Sequence, residues 1–419
     1  MKVLVVGSGG REHALAWRLA RSASCSEIVV APGNPGTDAL GPGMPVDVND
    51  PVAVATLAES QRVDLVVVGP EAPLVAGVAD ECRRREIPTF GPSAAAARLE
   101  GSKAFAKDLM RRAGVPTAES GTFESSGEAI AFLDRFEPPF VVKADGLAAG
   151  KGVTVAQSHD EAVAAIRAAL DDGAFGSAGA RVVIEEFLRG EEASLFCVTD
   201  GTQLLPLAGA QDFKRIGDGN TGPNTGGMGS YSPVPHLEDG IQAAVAAVCA
   251  PTVAQLALDG TPFQGLLYAG LMIEDGAPRT VEFNCRFGDP ETQVVLPRLE
   301  GDFAALLLSA ATGKLDTASL EYSPKACVAV VLASEGYPGR YETGRPITGV
   351  DEAERDPDVV VFHAGTARQD GELVTAGGRV LAVSALGASI AEARERAYEA
   401  CARISFEGKT LRRDIALGR

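Results

Sequence analysis

Apolar residues follow two rhythms along this chain. In the first hundred residues, unbroken apolar runs (KVLVVG from Lys2, EIVVAPG from Glu27, VDLVVVGPE from Val63) alternate with stretches of helical spacing, in GREHALAWRLARS and from Pro51 to Ser60. Continuous Val/Ile-rich runs suit strands covered on both faces, and their alternation with helices predicts a parallel sheet flanked by helices. In such a sheet, ligands collect at the Gly-rich turns that follow the strands. The rhythm breaks at Gly91 to Lys103, and GVPTAESGTF reads as a connector. A compact unit then runs from about Thr122 to Gly190. It reads as helix (Gly127 to Phe136), strand (FVVKADG), Gly-rich loop, strand (GVTVA), helix (His159 to Leu170) and strand (ARVVIEEF), small enough to move as a lid. A third region reaches to about Lys325, and a fourth, from Ala326, opens on the strand CVAVVLAS and includes a helix over Ser389 to Ile404. Pro251 predicts an end or kink in the Ala-rich helix around it.

At 419 residues the chain is long enough for about three domains at roughly 150 residues each. Its formal charge of −18 argues against nucleic acid as a partner, so a bound anionic small molecule needs local cations and backbone N–H groups. The seven cysteines are odd in number and show no CxxC or Cys/His ligand spacing. They read as reduced thiols of a cytoplasmic protein, with no zinc site. By strand alternation, Cys285 points away from its chemically interesting neighbours. No apolar stretch reaches the roughly 18 residues that span a bilayer. The longest, Phe303 to Ala311, fits a core helix, and the start of the chain lacks a signal-peptide layout. The expectation is a cytoplasmic protein without membrane contact.

Several segments carry candidate chemistry. In TVEFNCRFGDPE, Glu282, Asn284 and Arg286 share one face of an extended segment. Two oxygen donors beside a guanidinium suit Mg²⁺ holding a polyphosphate, though a strand-end ion-pair network uses the same residue types. The turn Gly7-Ser-Gly-Gly-Arg-Glu-His13 opens a helix, where N–H groups and the dipole favour an anion. A dinucleotide site fits poorly, because Glu12 occupies the sixth position of GxGxxG and the second strand lacks a terminal acid. A monophosphate at Gly9, Gly10 and Arg11 fits better, and His13 is as suited to packing as to chemistry. Lys143 to Gly152, with Lys151, is a Gly- and Ala-rich loop able to close over phosphates, yet it is not a Walker A loop. The acids of Val183 to Glu192 suit either plain surface charge or contacts to an adenine amino group and ribose. Gln211 to Ser230 has no apolar periodicity and six glycines. Twenty structureless residues in a compact protein are usually functional.

Taken together, GSGGREHALAW, GPEAPLVAGV, GPSAAAARLEGSKAF, KADGLAAGKGV, VIEEFLRGEEAS, KRIGDGNTGPNTGGMGSYSP and EFNCRFGDPETQ resemble the glycinamide ribonucleotide synthetase (phosphoribosylamine–glycine ligase) family of the ATP-grasp superfamily. The likeness runs nearly end to end and includes FHAGT and GGRVLAV. It implies an α/β, ATP-grasp fold: an N-terminal parallel-sheet (Rossmann-like) domain at 1–102, a central domain at 103–122 and 191–325, a small mobile lid at 123–190, and a C-terminal α+β domain at 326–419. It implies ligation of glycine to 5-phosphoribosylamine with ATP, through glycyl phosphate, in de novo purine synthesis. By the same resemblance, Lys103, Lys143 and Lys151 meet ATP phosphates, Glu185 and the Phe187–Leu188 backbone meet adenine, and Glu192 holds the ribose. Glu282 and Asn284 bind Mg²⁺ (or Mn²⁺), and Arg286 steadies the transferring phosphoryl group. Gly9, Gly10, Arg11, Glu12, Glu71 and Asp289 face substrate. Asp212 and Lys214, with Asn224, Thr225, Gly226, Gly227 and Met228, enclose the acyl-transfer site. The implied partners are small molecules only, bound by a monomer or weak homodimer. Two departures from the family pattern stand out. Phe213 occupies a position commonly held by His, and Leu266 to Ile273 offers no acidic metal ligand, which leaves two protein ligands.

Overall fold

The computed structural model describes residues 1–147, 152–316 and 320–419, so the expectation for Lys151 lies outside the described residues. Lys2–Gly7 pairs in parallel with Glu27–Pro32 on one side and Leu65–Val68 on the other, and Thr89–Phe90 extends the sheet. Val3 to Val6 and Leu65 to Val67 are fully buried, which is why these strands read as unbroken apolar runs. The helix Pro51–Gln61 starts where the Asp50 carboxylate accepts the Val52 and Ala53 N–H groups, with proline in the first turn.

The unit expected to be a lid is an antiparallel sheet of Ser120–Phe123, Val182–Glu186, Phe140–Ala144 and Val153–Ala156, covered by the helices Ser126–Phe132 and His159–Leu170. Its apolar cluster, with Leu133, Phe140, Val142, Ile166 and Ile184, is separate from the other cores. A second antiparallel sheet joins Leu204–Pro206, Glu191–Asp200, Gln264–Glu274 and Ala277–Asn284. A third contains Gln211–Asp212, Gly229–Ser232, Ala326–Ser334, Arg379–Gly387 and Val359–His363, with Lys409–Thr410 alongside. The boundary expected at Ala326 therefore crosses a shared sheet. Gly229–Ser232 is buried along its length, and its backbone groups find their partners on Ala326–Ser334.

Two expectations are corrected. The stretch Gln211 to Ser230 is not structureless: between its two sheet strands, Arg215–Gly217 and Thr221–Asn224 form a β-hairpin. Neither strand of the hairpin is buried, so no apolar alternation marks it in the sequence. The helical segment Ile241–Leu258 does reach the length and apolarity of a membrane span, at 18 residues and a mean hydropathy of 1.7. The residues that interrupt its apolar run, such as Gln242, Pro251 and Gln255, are uncharged, so the average stays high. Val248, Val253 and Leu256 belong to the main core, and the segment packs on the helix Lys103–Ala113. Pro251 does not end it. A π-helical turn, Val245–Cys249, comes just before the proline, which sits in the first turn of Ala250–Leu258.

Candidate active site

The site forms around an irregularity in the central sheet. Gly270 faces Glu282 across the ladder, while the next residue, Leu271, faces Thr280, so Val281 bulges out unpaired. Its freed carbonyl accepts a hydrogen bond from Lys143 Nζ at 3.0 Å, which ties the lid to the central sheet. Glu282 lines the adjoining pocket with Glu192, Asp212, Lys214 and Tyr268. Among the described residues its carboxylate takes part in no hydrogen bond or ion pair. Asn284 Oδ1, two residues on, accepts from Arg286 at 3.2 Å. A free carboxylate with an amide oxygen beside it suits a hard divalent cation. No group of three or more His, Cys, Asp or Glu among the described residues is arranged as a metal cage, so other oxygens would have to complete the shell.

Lys143 also meets Glu185 Oε1 at 3.0 Å, and Lys107 meets Glu185 Oε2 at 3.0 Å, all three being buried. Burial depresses the Lys107 ammonium to about 8, although Glu185 opposes the shift. Lys103 opens its helix beside Asp145, whose Oδ1 accepts from Ala104 N–H at 2.7 Å, and Lys103 Nζ reaches the Gly146 carbonyl at 3.1 Å. Burial also lowers Lys103, against the attraction of Glu282. Phe187 is exposed and Leu188 buried at the mouth of this strand.

On the other side of Glu282, Lys214 Nζ lies 2.8 Å from Glu192 Oε2 and 3.0 Å from Asp212 Oδ1. One cation thus serves two acids. Lys214 is held well above its ordinary range because Asp212 and Glu192 outweigh the effect of burial. Glu192 is pulled down by Lys214, whereas burial lifts Asp212 to about 7, with Glu291 and Glu192 adding to the rise. Behind them, Tyr268 donates to Glu291 Oε1 at 2.6 Å and lies 2.8 Å from Ser194 Oγ. Phe213 packs against Tyr231 and the Arg412 guanidinium, and its ring carries no group for proton transfer.

The first Gly-rich turn meets the end of the central strand. Glu12 is buried and accepts from Gly9 N–H at 2.6 Å and from Arg11, so it braces the turn. Arg11 donates to the Phe287 carbonyl at 3.3 Å and lies 3.9 Å from Glu71 Oε2. Arg286 reaches Glu71 Oε2 at 3.2 Å and Glu100 Oε1 at 2.7 Å. Burial works against the Arg286 charge, but Glu100 and Glu71 hold its pKa above the ordinary value. Cys285 does not simply point away: its N–H and thiol both approach Glu100 Oε2, at 2.8 and 3.2 Å, because regular alternation ends at Asn284. Asp289 accepts from Gln293 at 2.7 Å, and Gln293 lies against Gly10. His13 packs instead of acting. Its Nδ1 accepts the His363 N–H at 2.9 Å, and burial lowers it to about 3.

The structure thus gathers Glu192, Asp212, Lys214 and Glu282 around one pocket, with Lys143 on its lid side, and sets Gly9, Gly10, Arg11, Glu71, Arg286 and Asp289 together just beyond the end of the strand that carries Glu282. Thr225 caps the Lys214 carbonyl at 2.8 Å and Gly227 N–H donates back to Thr225 Oγ1, while Asn224 ends the hairpin. Met228 buries its side chain among Ala14, Val331 and Phe362, so only its backbone faces the loop. Sequence reasoning missed Lys107, Glu100 and Tyr268. Lys107 and Glu100 lie on helices of ordinary amphipathic pattern, and their partners are far away in sequence.

Models of the phosphoribosylglycinamide synthetase family match the chain in order: the N domain at residues 1–100, the ATP-grasp (A) domain at 101–292 and the C domain at 327–418. The phosphoribosylamine–glycine ligase of Mesorhizobium japonicum is 52% identical over 416 residues, spanning 99% of this chain and 97% of that protein. The crystal structure of phosphoribosylamine–glycine ligase from Thermotoga maritima is similar with a TM-score of 0.86 at 36% identity, covering 99% of this chain and 100% of that one. The biotin carboxylase domain of Hydrogenobacter thermophilus 2-oxoglutarate carboxylase shares the fold at a TM-score of 0.73 and 16% identity, with 98% and 91% covered.

Proposed function

The chain belongs to the phosphoribosylglycinamide synthetase family and is an ATP-dependent carbon–nitrogen ligase of purine biosynthesis, and we propose how its own residues divide the work. The reaction joins glycine to 5-phosphoribosylamine and yields glycinamide ribonucleotide, ADP and phosphate. A carboxylate resists attack because attack adds charge to an anion. Phosphorylation turns glycine into glycyl phosphate, the amine attacks its carbonyl, and phosphate leaves. Positioning and charge neutralisation then account for most of the catalysis. Well-oriented reactants contribute on the order of 7 kcal/mol.

Lys103 and Lys143 receive the ATP phosphates, and Lys151 joins them on sequence grounds. Glu185 and the Phe187–Leu188 backbone border the adenine, and Glu192 the ribose. Glu282 and Asn284 would hold Mg²⁺ or Mn²⁺, whose charge offsets that of the phosphates. Arg286, oriented by Glu71 and Glu100, steadies the transferring phosphoryl group. Gly9, Gly10, Arg11, Glu71 and Asp289 face phosphoribosylamine, with Glu12 bracing the turn. Asp212, lifted to about 7 and so poised near neutrality, takes the proton of the attacking amine while Lys214 balances charge. The separate core of the lid supports closure of 123–190 over the nucleotide, which would keep water from the acyl phosphate. The division into 1–102, 103–122 with 191–325, 123–190 and 326–419 stands as a proposal on the same footing. Seven free thiols accord with the cytoplasm.

The observation that carries this division is the single pocket lined by Glu192, Asp212, Lys214 and Glu282. ADP release measured with each substrate omitted in turn is the test. The expected outcome is release only when ATP, glycine and freshly generated phosphoribosylamine are all present. Release without the amine or without glycine refutes the assignment.

A further inference from the structure

Arg379 opens the strand Arg379–Gly387, outside every segment assigned chemistry above. Its guanidinium donates to the carbonyls of Gly226 at 2.5 Å and Asp289 at 3.0 Å, and to Asp289 Oδ2 at 2.8 Å. It lies flat over Gly226, where an added Cβ would fall 3.0 Å from its central carbon. From the same C-terminal region, Tyr337 Oη accepts the Gly226 N–H at 3.0 Å. At Gly227, where φ is +107°, an added Cβ would fall 2.4 Å from Pro290 Cδ. The Gly226–Gly227 loop and the Asp289–Pro290 turn are therefore pressed together, with Arg379 as the clamp. Asp289 passes the contact on through Gln293 to the turn at Gly10. One half-buried cation thus links the amide loop, the turn after Arg286 and the first Gly-rich turn. A planar five-donor fork holds these acceptors in a fixed geometry, and an ammonium on a flexible stem does so less firmly.

We infer that Arg379 is a positioning residue for acyl transfer: it holds the Gly226–Gly227 loop against Asp289 so that the phosphoribosylamine side of the site is formed before substrate arrives. This inference rests on the reaction proposed above. Arg379 touches none of the residues assigned to the nucleotide, so the effect of losing it should fall on one substrate. In Arg379→Ala, kcat/KM for phosphoribosylamine should drop about 10- to 100-fold, while the KM for ATP stays within about twofold. Arg379→Lys should recover only part of the loss, and free guanidinium ion should partly rescue the alanine variant, an effect that a merely structural role would not produce. Tyr337→Phe, a milder change, should shift the same constant in the same direction. Hydrogen exchange in unliganded Arg379→Ala should speed up at 224–230 and 287–293 but not in the lid. Unchanged exchange there, or equal losses for ATP and the amine, overturns the inference. If the wild-type protein shows no amine-dependent ADP release, the proposed function fails instead, and the exchange arm still decides whether Arg379 orders these loops.

Discussion

Replacing Glu185 by Gln keeps the shape of a buried side chain and removes one charge. The carboxylate is 3% exposed and bonds Lys143 and Lys107 at 3.0 Å each, so the change leaves two ammonium groups facing an uncharged amide. Leaving a buried ion without its partner costs about 3–5 kcal/mol. Lys107 can escape part of that by losing its proton. It already sits at about 8, so giving up the proton at neutral pH costs the wild-type protein only about 1.4 kcal/mol, and the variant less, because the attraction to Glu185 is gone. The net destabilisation expected near pH 7 is about 2 kcal/mol. Its pH dependence carries a definite sign. The folded pKa of Lys107 lies below its unfolded value and falls further in the variant. The gap between the two proteins is therefore full at low pH and fades as pH rises through about 8, where Lys107 is neutral in both. Urea unfolding of both proteins at a series of pH values from about 6.5 to about 9 measures this directly. A second change, Lys107→Met, should recover most of the loss at pH 7. A gap that stays constant across the series, or one below about 0.5 kcal/mol at pH 7, refutes the reasoning.

Glu282→Ala should abolish ADP release and leave the urea unfolding curve nearly unchanged, since the carboxylate has no partner to lose among the described residues; full activity in that variant sinks the metal assignment. For Asp212, kcat/KM for the amine should rise with pH through about 7 as the carboxylate gives up its proton, and Asp212→Asn should lack that limb; a limb that persists assigns it to another group. His13 is held at about 3 while an unfolded histidine titrates near 6.5, so the stability it confers is present above about 6.5 and lost as pH falls toward 3, at about 1.4 kcal/mol per unit. His13→Gln should flatten the acid limb of the stability curve, and an unaltered limb would contradict the assignment.

Patterning revealed what is local. The parallel strands were legible because burial on both faces leaves an unbroken apolar run. The helix Phe303–Ala311, which the sequence marked as its longest apolar stretch, begins where the Asp302 carboxylate accepts the Ala305 N–H. His159–Leu170 and Ile390–Arg403 were legible from spacing, and the structure starts each where a serine, Ser158 or Ser389, accepts an N–H of the first turn. Candidate site residues were legible where polar and small residues crowd together against the apolar pattern, at the strand end around Glu282 and in the loop around Gly226. Pairings across long separations were not. Nothing in GPSAAAARLEGSK announces that Glu100 meets Arg286, 186 residues away, nor does GGRVLAV reveal that Arg379 grips Gly226. The hairpin at 215–224 escaped because no face of it is buried. The Val281 bulge escaped because register depends on the partner strand, and the sequence of one strand does not contain it.

The shared logic of the site is that its cations arrive already neutralised. Lys143 and Lys107 hold Glu185, Lys214 holds Glu192 and Asp212, Arg286 holds Glu71 and Glu100, and Arg11 holds Glu12. In a chain of net charge −18, an unpaired cluster of cations would need an anion at all times, and burying it bare would cost several kcal/mol per ion. Pre-paired cations avoid that cost, but they leave little surplus positive charge for a polyphosphate. On the nucleotide side the surplus among the described residues is Lys103, bonded to a carbonyl and not to a carboxylate, and one of the two lysines that share Glu185. A nucleotide with several negative charges must therefore bring its own counter-charge, and the free carboxylate of Glu282 is where that counter-charge would be received. Acidic composition, paired cations and a Glu282 carboxylate with no partner among the described residues are consequences of the same electrostatic balance, and this is why the change at Glu282 should silence the reaction with little effect on the fold, while the change at Glu185 weakens the fold as well as the adenine side of the site.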